Sequence, residues 1–164
     1  MSTVDELTIR IEGPEQWPSL PPQDDLCEMP HFDFAMQRFL FDNNHRILLT
    51  VGKFQRSLHF FPDIALAFPS LPGVILSLIR GEPVDLTFPE SQMFLECSPH
   101  NGQLNCTVGT FGTQPSRHLV ILDANRTARE LKGFVQEVLG RAVTASNVSR
   151  EEADEFARGL PEVG

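Results

Sequence analysis

The sequence contains no tyrosine and one tryptophan, Trp17, against 13 phenylalanines. Phenylalanine has no polar handle, so this aromatic set predicts rings packed in an interior rather than spread over a broad binding face. Cysteine is sparse too. Cys27, Cys97 and Cys106 form no CxxC pair and leave an odd number, which argues against a disulfide framework and suits a reducing compartment. Long apolar runs are missing: residues 74–76 and 118–122 are far too short to cross a bilayer, so no membrane association is expected. The opening MSTVDELTIRIEG is acidic where a secretory leader is basic and then apolar, which predicts a cytoplasmic protein. In that compartment the glycosylation-type triplets at Asn105, Asn125 and Asn147 read as chance matches.

Chemistry-bearing patterns are missing as well. The five histidines (His31, His45, His59, His100, His118) form no HExxH and no Cys/His cluster. His31 and Asp33 would share one strand face, a pair that is common by chance. Cys27 sits among Asp24, Asp25 and Glu28, whose charges disfavour a thiolate nucleophile. Gly109-Thr110-Phe111-Gly112 follows a strand signal but opens no helix, so it is no phosphate loop. No catalytic residue, metal ligand or cofactor-binding residue is therefore assigned, and no cofactor is expected. An isoelectric point near 4.9 argues against a nucleic-acid partner.

What is present is a globular composition, 41% hydrophobic and 21% charged over 164 residues, which fits one domain over 1–164 with a proper core. The net charge of −9 is unevenly placed. Seven acids against Arg10 leave residues 1–30 at −6, five acids against Arg150 and Arg158 leave 145–164 at −3, and ten of each sign cancel between. Both ends are acidic and the body is neutral. Solvated ends are the ordinary meaning of such runs. A surface directed at a basic partner is the sharper one.

Along the chain, residues 8–12 alternate as a short strand ending at Gly13-Pro14. Five prolines between Pro14 and Pro30 forbid helix, so 14–30 reads as a Pro-rich extended connection anchored by Trp17. Phe32, Phe34 and Met36 alternate with polar or small residues and predict a strand to about Phe41, with a turn at Asp42-Asn43-Asn44. Strands follow over 46–51 and 54–60, while the apolar segment at 64–68 fits either structure. Ser70, Pro72 and Gly81 punctuate a helix near 71–80 with Leu71, Val74, Ile75 and Leu78 on one face. After a strand at 84–88, Asn101-Gly102 centres a hairpin that pairs Cys97 with Cys106, Leu95 with Val108 and Met93 with Thr110. Both cysteines are expected as reduced core residues. The uniformly apolar 118–122 reads as a central strand. Leu131, Phe134, Val135, Val138, Leu139 and Ala142 stripe a helix over about 126–142, capped by Asp123 or Asn125. Its wet side carries Arg126, Arg129, Lys132, Glu137 and Arg141. Ser149 and Glu152 form a capping box for a short helix near 149–158 in the acidic tail 145–164. The class is α+β, a mostly antiparallel sheet with the long helix across one face.

The order of elements from 32 to 142, with Phe88-Pro89-Glu90, the hairpin at Gly102 and the strand-to-helix junction at Asp123, resembles small bacterial immunity proteins of the WapI-like kind. That resemblance implies a protein that neutralises a cognate toxin by direct binding. The chain is accordingly expected to be a non-enzymatic binding protein for a protein partner such as a basic toxin domain. Its candidate contacts are Asp24, Asp25 and Glu28, then Glu151, Glu152, Asp154 and Glu155. Two alternatives stay open: an enzyme or small-ligand protein whose site is assembled from sequence-distant residues, and a structural subunit docking through its last helix.

Overall fold

Period-two burial builds seven strands among the described residues. Leu7 and Ile9 point inward from β1 (Leu7–Glu12), Ile47, Leu49 and Val51 from β2 (Arg46–Val51), and Leu58 from β3 (Phe54–His59). The same alternation runs through β4 (Val84–Phe88), β5 (Met93–His100), β6 (Gln103–Thr110) and the second half of β7 (Ser116–Asp123). The structure, a computed structural model, describes residues 3–13, 32, 35, 36, 39, 45–145 and 148–163. The Pro-rich connection, Trp17, Cys27, the His31/Asp33 pair and the turn at Asp42-Asn43-Asn44 lie outside the described residues.

The fold is α+β, and all strand pairing within its sheets is antiparallel, but there are two sheets, ordered β1-β2-β3 and β4-β5-β6-β7. The hairpin has the expected register, Cys97 opposite Cys106, Leu95 opposite Val108, Met93 opposite Thr110. Asn101 and Gly102 take φ of 50° and 77°, the left-handed pair that a two-residue hairpin turn requires. Two small devices join the sheets. Asp5 donates its backbone N–H to the Ile121 carbonyl (2.7 Å) and accepts the Ile121 N–H on Oδ2 (3.2 Å). On the other flank Asp63, fully buried, accepts from the backbone N–H groups of His59 (3.2 Å) and Glu90 (3.1 Å) and from the Ser91 hydroxyl (2.5 Å). Arg56 grips the Ser91 carbonyl through Nε and Nη2 at 3.2 and 2.9 Å.

Helices α1 (Leu71–Arg80), α2 (Ala124–Thr144) and α3 (Arg150–Arg158) add to the core. Asp123 caps α2 by accepting the Arg126 N–H at 2.8 Å. Its apolar stripe packs on α1 and β1, with Leu131, Phe134, Val135, Val138, Leu139 and Ala142 all buried. On its outer side Glu137 and Arg141 pair at 3.0 Å, and Arg126 pairs with Glu6. Lys132 is half-buried rather than free, because its Nζ donates to the Pro161 carbonyl (2.9 Å) where the chain folds back after α3.

Three expectations are corrected. Phe32, Ala35, Met36 and Phe39 are helical, with Met36 and Phe39 buried. Their spacing of three, one and three is a helical stripe, and it outweighs the alternation of Phe32, Phe34 and Met36 that suggests a strand. β7 is an edge strand, not a central one, and Leu119 is 87% exposed. Ser70 does not cap α1. The chain enters already helical through a wide turn at Phe60–Ile64, an α turn at Ala65–Ala67 and a tight turn at Phe68–Ser70, and the Ser70 hydroxyl donates back to the Ala67 carbonyl at 2.7 Å. With α1 this makes a continuous helical run whose Pro62–Arg80 portion, at mean hydropathy 1.6, is by length and composition apolar enough to cross a bilayer. Here its Ile64, Phe68, Leu71, Ile75 and Leu78 line the protein core.

Candidate functional site

Of the seven predicted contact residues, Asp24, Asp25 and Glu28 lie outside the described residues, and the other four share α3. Ser149 caps that helix, accepting the Glu152 N–H at 3.1 Å and donating its hydroxyl to Glu152 Oε1 at 3.0 Å. Glu152 is thereby half-buried and occupied with capping. Ala153 and Leu160 are buried beneath, and Phe156 packs its ring against Phe68 and Phe32 at centroid distances of 5.6 and 5.4 Å. With one side pinned, the periodicity sends Glu151, Asp154 and Glu155 outward at spacings of three and one, followed by Arg158 a turn later. All four are exposed. Glu151 and Glu152 also favour the helix N-terminus electrostatically, so part of their presence is structural. The result is a short acidic stripe on a fixed backbone.

A second surface comes from residues that the sequence reading left unassigned. Asp5, Lys53, Phe54, Gln55, Arg117, His118, Leu119 and Val120 line a cleft of about 730 Å³ between the β2–β3 turn and the outer edge of β7. Phe54 and His118 pack ring to ring at 5.4 Å, and Arg117 lies over the Phe94 ring at 5.6 Å. Asp5 is the acid in this group, and its carboxylate is engaged by the Ile121 N–H. Lys53 and Arg117 make no ion pair among the described residues. The cleft can therefore hold an anion against two cations and a ring pair. A local signal for it existed in Arg117-His118, which interrupt the apolar run from its N-terminal side. Nothing in the sequence says that Lys53 and Asp5 come to meet them.

Cys97 and Cys106 are buried, face each other across the hairpin, and are unbridged. The Cys106 thiol hydrogen-bonds Cys97 and, with burial and the nearby Cys106 and Asp85 charges, pushes the Cys97 thiol well above its ordinary range. That pair is an inert part of the core. Among the described residues no group of three or more His, Cys, Asp and Glu side chains converges to hold a metal ion. No protein-family model, curated protein or solved structure matches the chain.

Proposed function

We propose that this chain is a non-enzymatic binding protein that docks a basic protein partner, in the manner of an immunity protein neutralising a cognate toxin in the cytoplasm. The observation that supports it is the acidic stripe of α3, three exposed carboxylates on a helix whose cap, buried Ala153 and stacked Phe156 hold it in place. Charges on a rigid element lose little freedom on docking, so their attraction is not cancelled by ordering. On a chain of net charge −9 they also steer a cationic partner during encounter. Asp24, Asp25 and Glu28 enter the same proposal through their charge.

The test is kinetic. Affinity capture from the native host supplies a partner, and stopped-flow mixing follows its association across salt concentrations. Changing Glu151, Asp154 and Glu155 together to Lys is expected to slow association by about tenfold or more and to flatten its salt dependence. An association rate that ignores the triple reversal, or purified protein that turns over a small molecule, rejects the reading.

A further inference from the structure

A sheet edge displays unpaired main-chain donors and acceptors, and proteins cover or blunt such edges. Three of the four edges here are managed. At β1 the Ile9 N–H is taken by Glu130 Oε1 (3.1 Å), which also pairs with Arg10. At β3 the β4–β5 turn is clamped on through Arg56, Ser91 and Ser57. At β4 the helical run from Ala65 through α1 packs alongside. The fourth edge, β7, is covered by the described residues at one end alone, where Asp5 takes both main-chain groups of Ile121. Main-chain direction alternates along an antiparallel strand, so Arg117 and Leu119 aim their N–H and C=O groups the same way as Ile121, outward from β6. Neither has a main-chain hydrogen bond on that side among the described residues.

The open half of β7 also lies close to its neighbour. A Cβ at Gly109, opposite Arg117, would lie 1.9 Å from the Ser116 carbonyl oxygen, so glycine lets the two strands approach there. A blunted edge would put charge at its centre. This one puts Leu119, 87% exposed, between the cleft and the outer sheet face, while Arg117 lies back across Phe94. Beside it are two cations, Lys53 and Arg117, without an acidic partner among the described residues, on a chain that is acidic overall.

We propose that the open edge of β7, residues 116–120, takes an extended acidic segment of a partner protein as an added strand, with Lys53 and Arg117 receiving its carboxylates. Strand addition supplies affinity from main-chain hydrogen bonds and specificity from alternate side chains, and both requirements meet at this cleft. The inference concerns a surface other than α3 and does not depend on the reading of α3.

The probe is a fluorescein-labelled peptide of about eight residues alternating Glu and Val, titrated into the full chain and followed by anisotropy. Saturable binding in roughly the micromolar range is expected, with no binding of a Lys/Val peptide. Leu119→Pro removes an outward N–H without touching the β6 ladder, a place where edge strands tolerate proline, and is expected to abolish binding. Lys53→Glu with Arg117→Glu leaves the backbone intact and should weaken binding by about tenfold or more. If Leu119→Pro misfolds by circular dichroism, the charge pair alone decides. Equal affinity in the charge-reversed protein, equal binding of the Lys/Val peptide, or no binding at millimolar peptide overturns the proposal. Sedimentation showing a dimer that Leu119→Pro disperses also overturns it, because the edge is then occupied by a second copy.

Discussion

Replacing Asp63 by Ala should remove the clasp that holds β3 to the β4–β5 turn. The side chain is wholly buried and satisfies three donors: two half-buried backbone N–H groups and the Ser91 hydroxyl. Leaving a buried donor without its acceptor costs about 1–3 kcal/mol, toward the low end where water can reach the site. The Ser91 hydroxyl has a fallback in the Ser57 carbonyl 3.4 Å away, which puts it near the low end as well. Three losses of about 1 kcal/mol give a cost near 3 kcal/mol, a large share of the stability of an ordinary domain. Asp63→Asn keeps one acceptor oxygen and should cost about half as much. Urea unfolding followed by far-ultraviolet circular dichroism reads the change as a midpoint lower by about 1–2 M for Asp63→Ala. Ser91→Ala gives the internal check. If the clasp acts as a unit, the double variant loses less than the two single costs together, because both remove the same Asp63–Ser91 bond. A stability for Asp63→Ala that stays within about 0.5 kcal/mol of the parent, or strict additivity with Ser91→Ala, would refute this account.

The remaining expectations are narrower. Above the ordinary thiol value of 9.0 the unfolded chain gives up the Cys97 proton while the folded chain keeps it, so stability is intact below pH 9 and falls by about 1.4 kcal/mol per pH unit above it. Cys97→Ala should flatten that slope in urea melts taken from pH 8 to 10.5, and an unchanged slope assigns it to other groups. Leu131→Ala should cost about 2–4 kcal/mol through lost burial and a residual cavity, while Arg129→Ala on the exposed side should stay within about 0.5 kcal/mol, both read from the same melts. Lys132→Ala should release the tail from α2, seen as faster amide hydrogen exchange over α3 with the α2 core unchanged; protection that stays the same shows the Pro161 contact to be incidental.

Local signals carried the fold wherever burial and turn chemistry agree. Asn101-Gly102 set the hairpin turn, and the alternation of Met93, Leu95 and Cys97 set its register, so both could be read directly. The stripe from Leu131 to Ala142 and the caps at Asp123 and Ser149 marked α2 and α3 for the same reason. Helix and strand periods compete where a segment is short: Phe32, Phe34 and Met36 spell a strand, while Phe32, Ala35, Met36 and Phe39 spell the helix observed. The run at 118–122 failed differently. Uniform apolarity implies burial on both faces, but Leu119 is exposed, because edge position follows from strand order and strand order is set by contacts far away in sequence. The acidic stripe of α3 was legible since its spacing is local. The cleft was not, since Asp5, Lys53 and Arg117 are brought together by the tertiary fold alone.

The long-range hydrogen bonds at the first strand have a consequence for synthesis. Asp5 meets Ile121 and Ile9 meets Glu130 across sequence separations of 116 and 121 residues. During translation the first strand therefore emerges long before its last partners exist. The β4–β7 meander, by contrast, closes through neighbours joined by short turns, and local pairing forms quickly. On the ribosome the three-stranded sheet therefore waits with this seam unmade until β7 and α2 have cleared the exit.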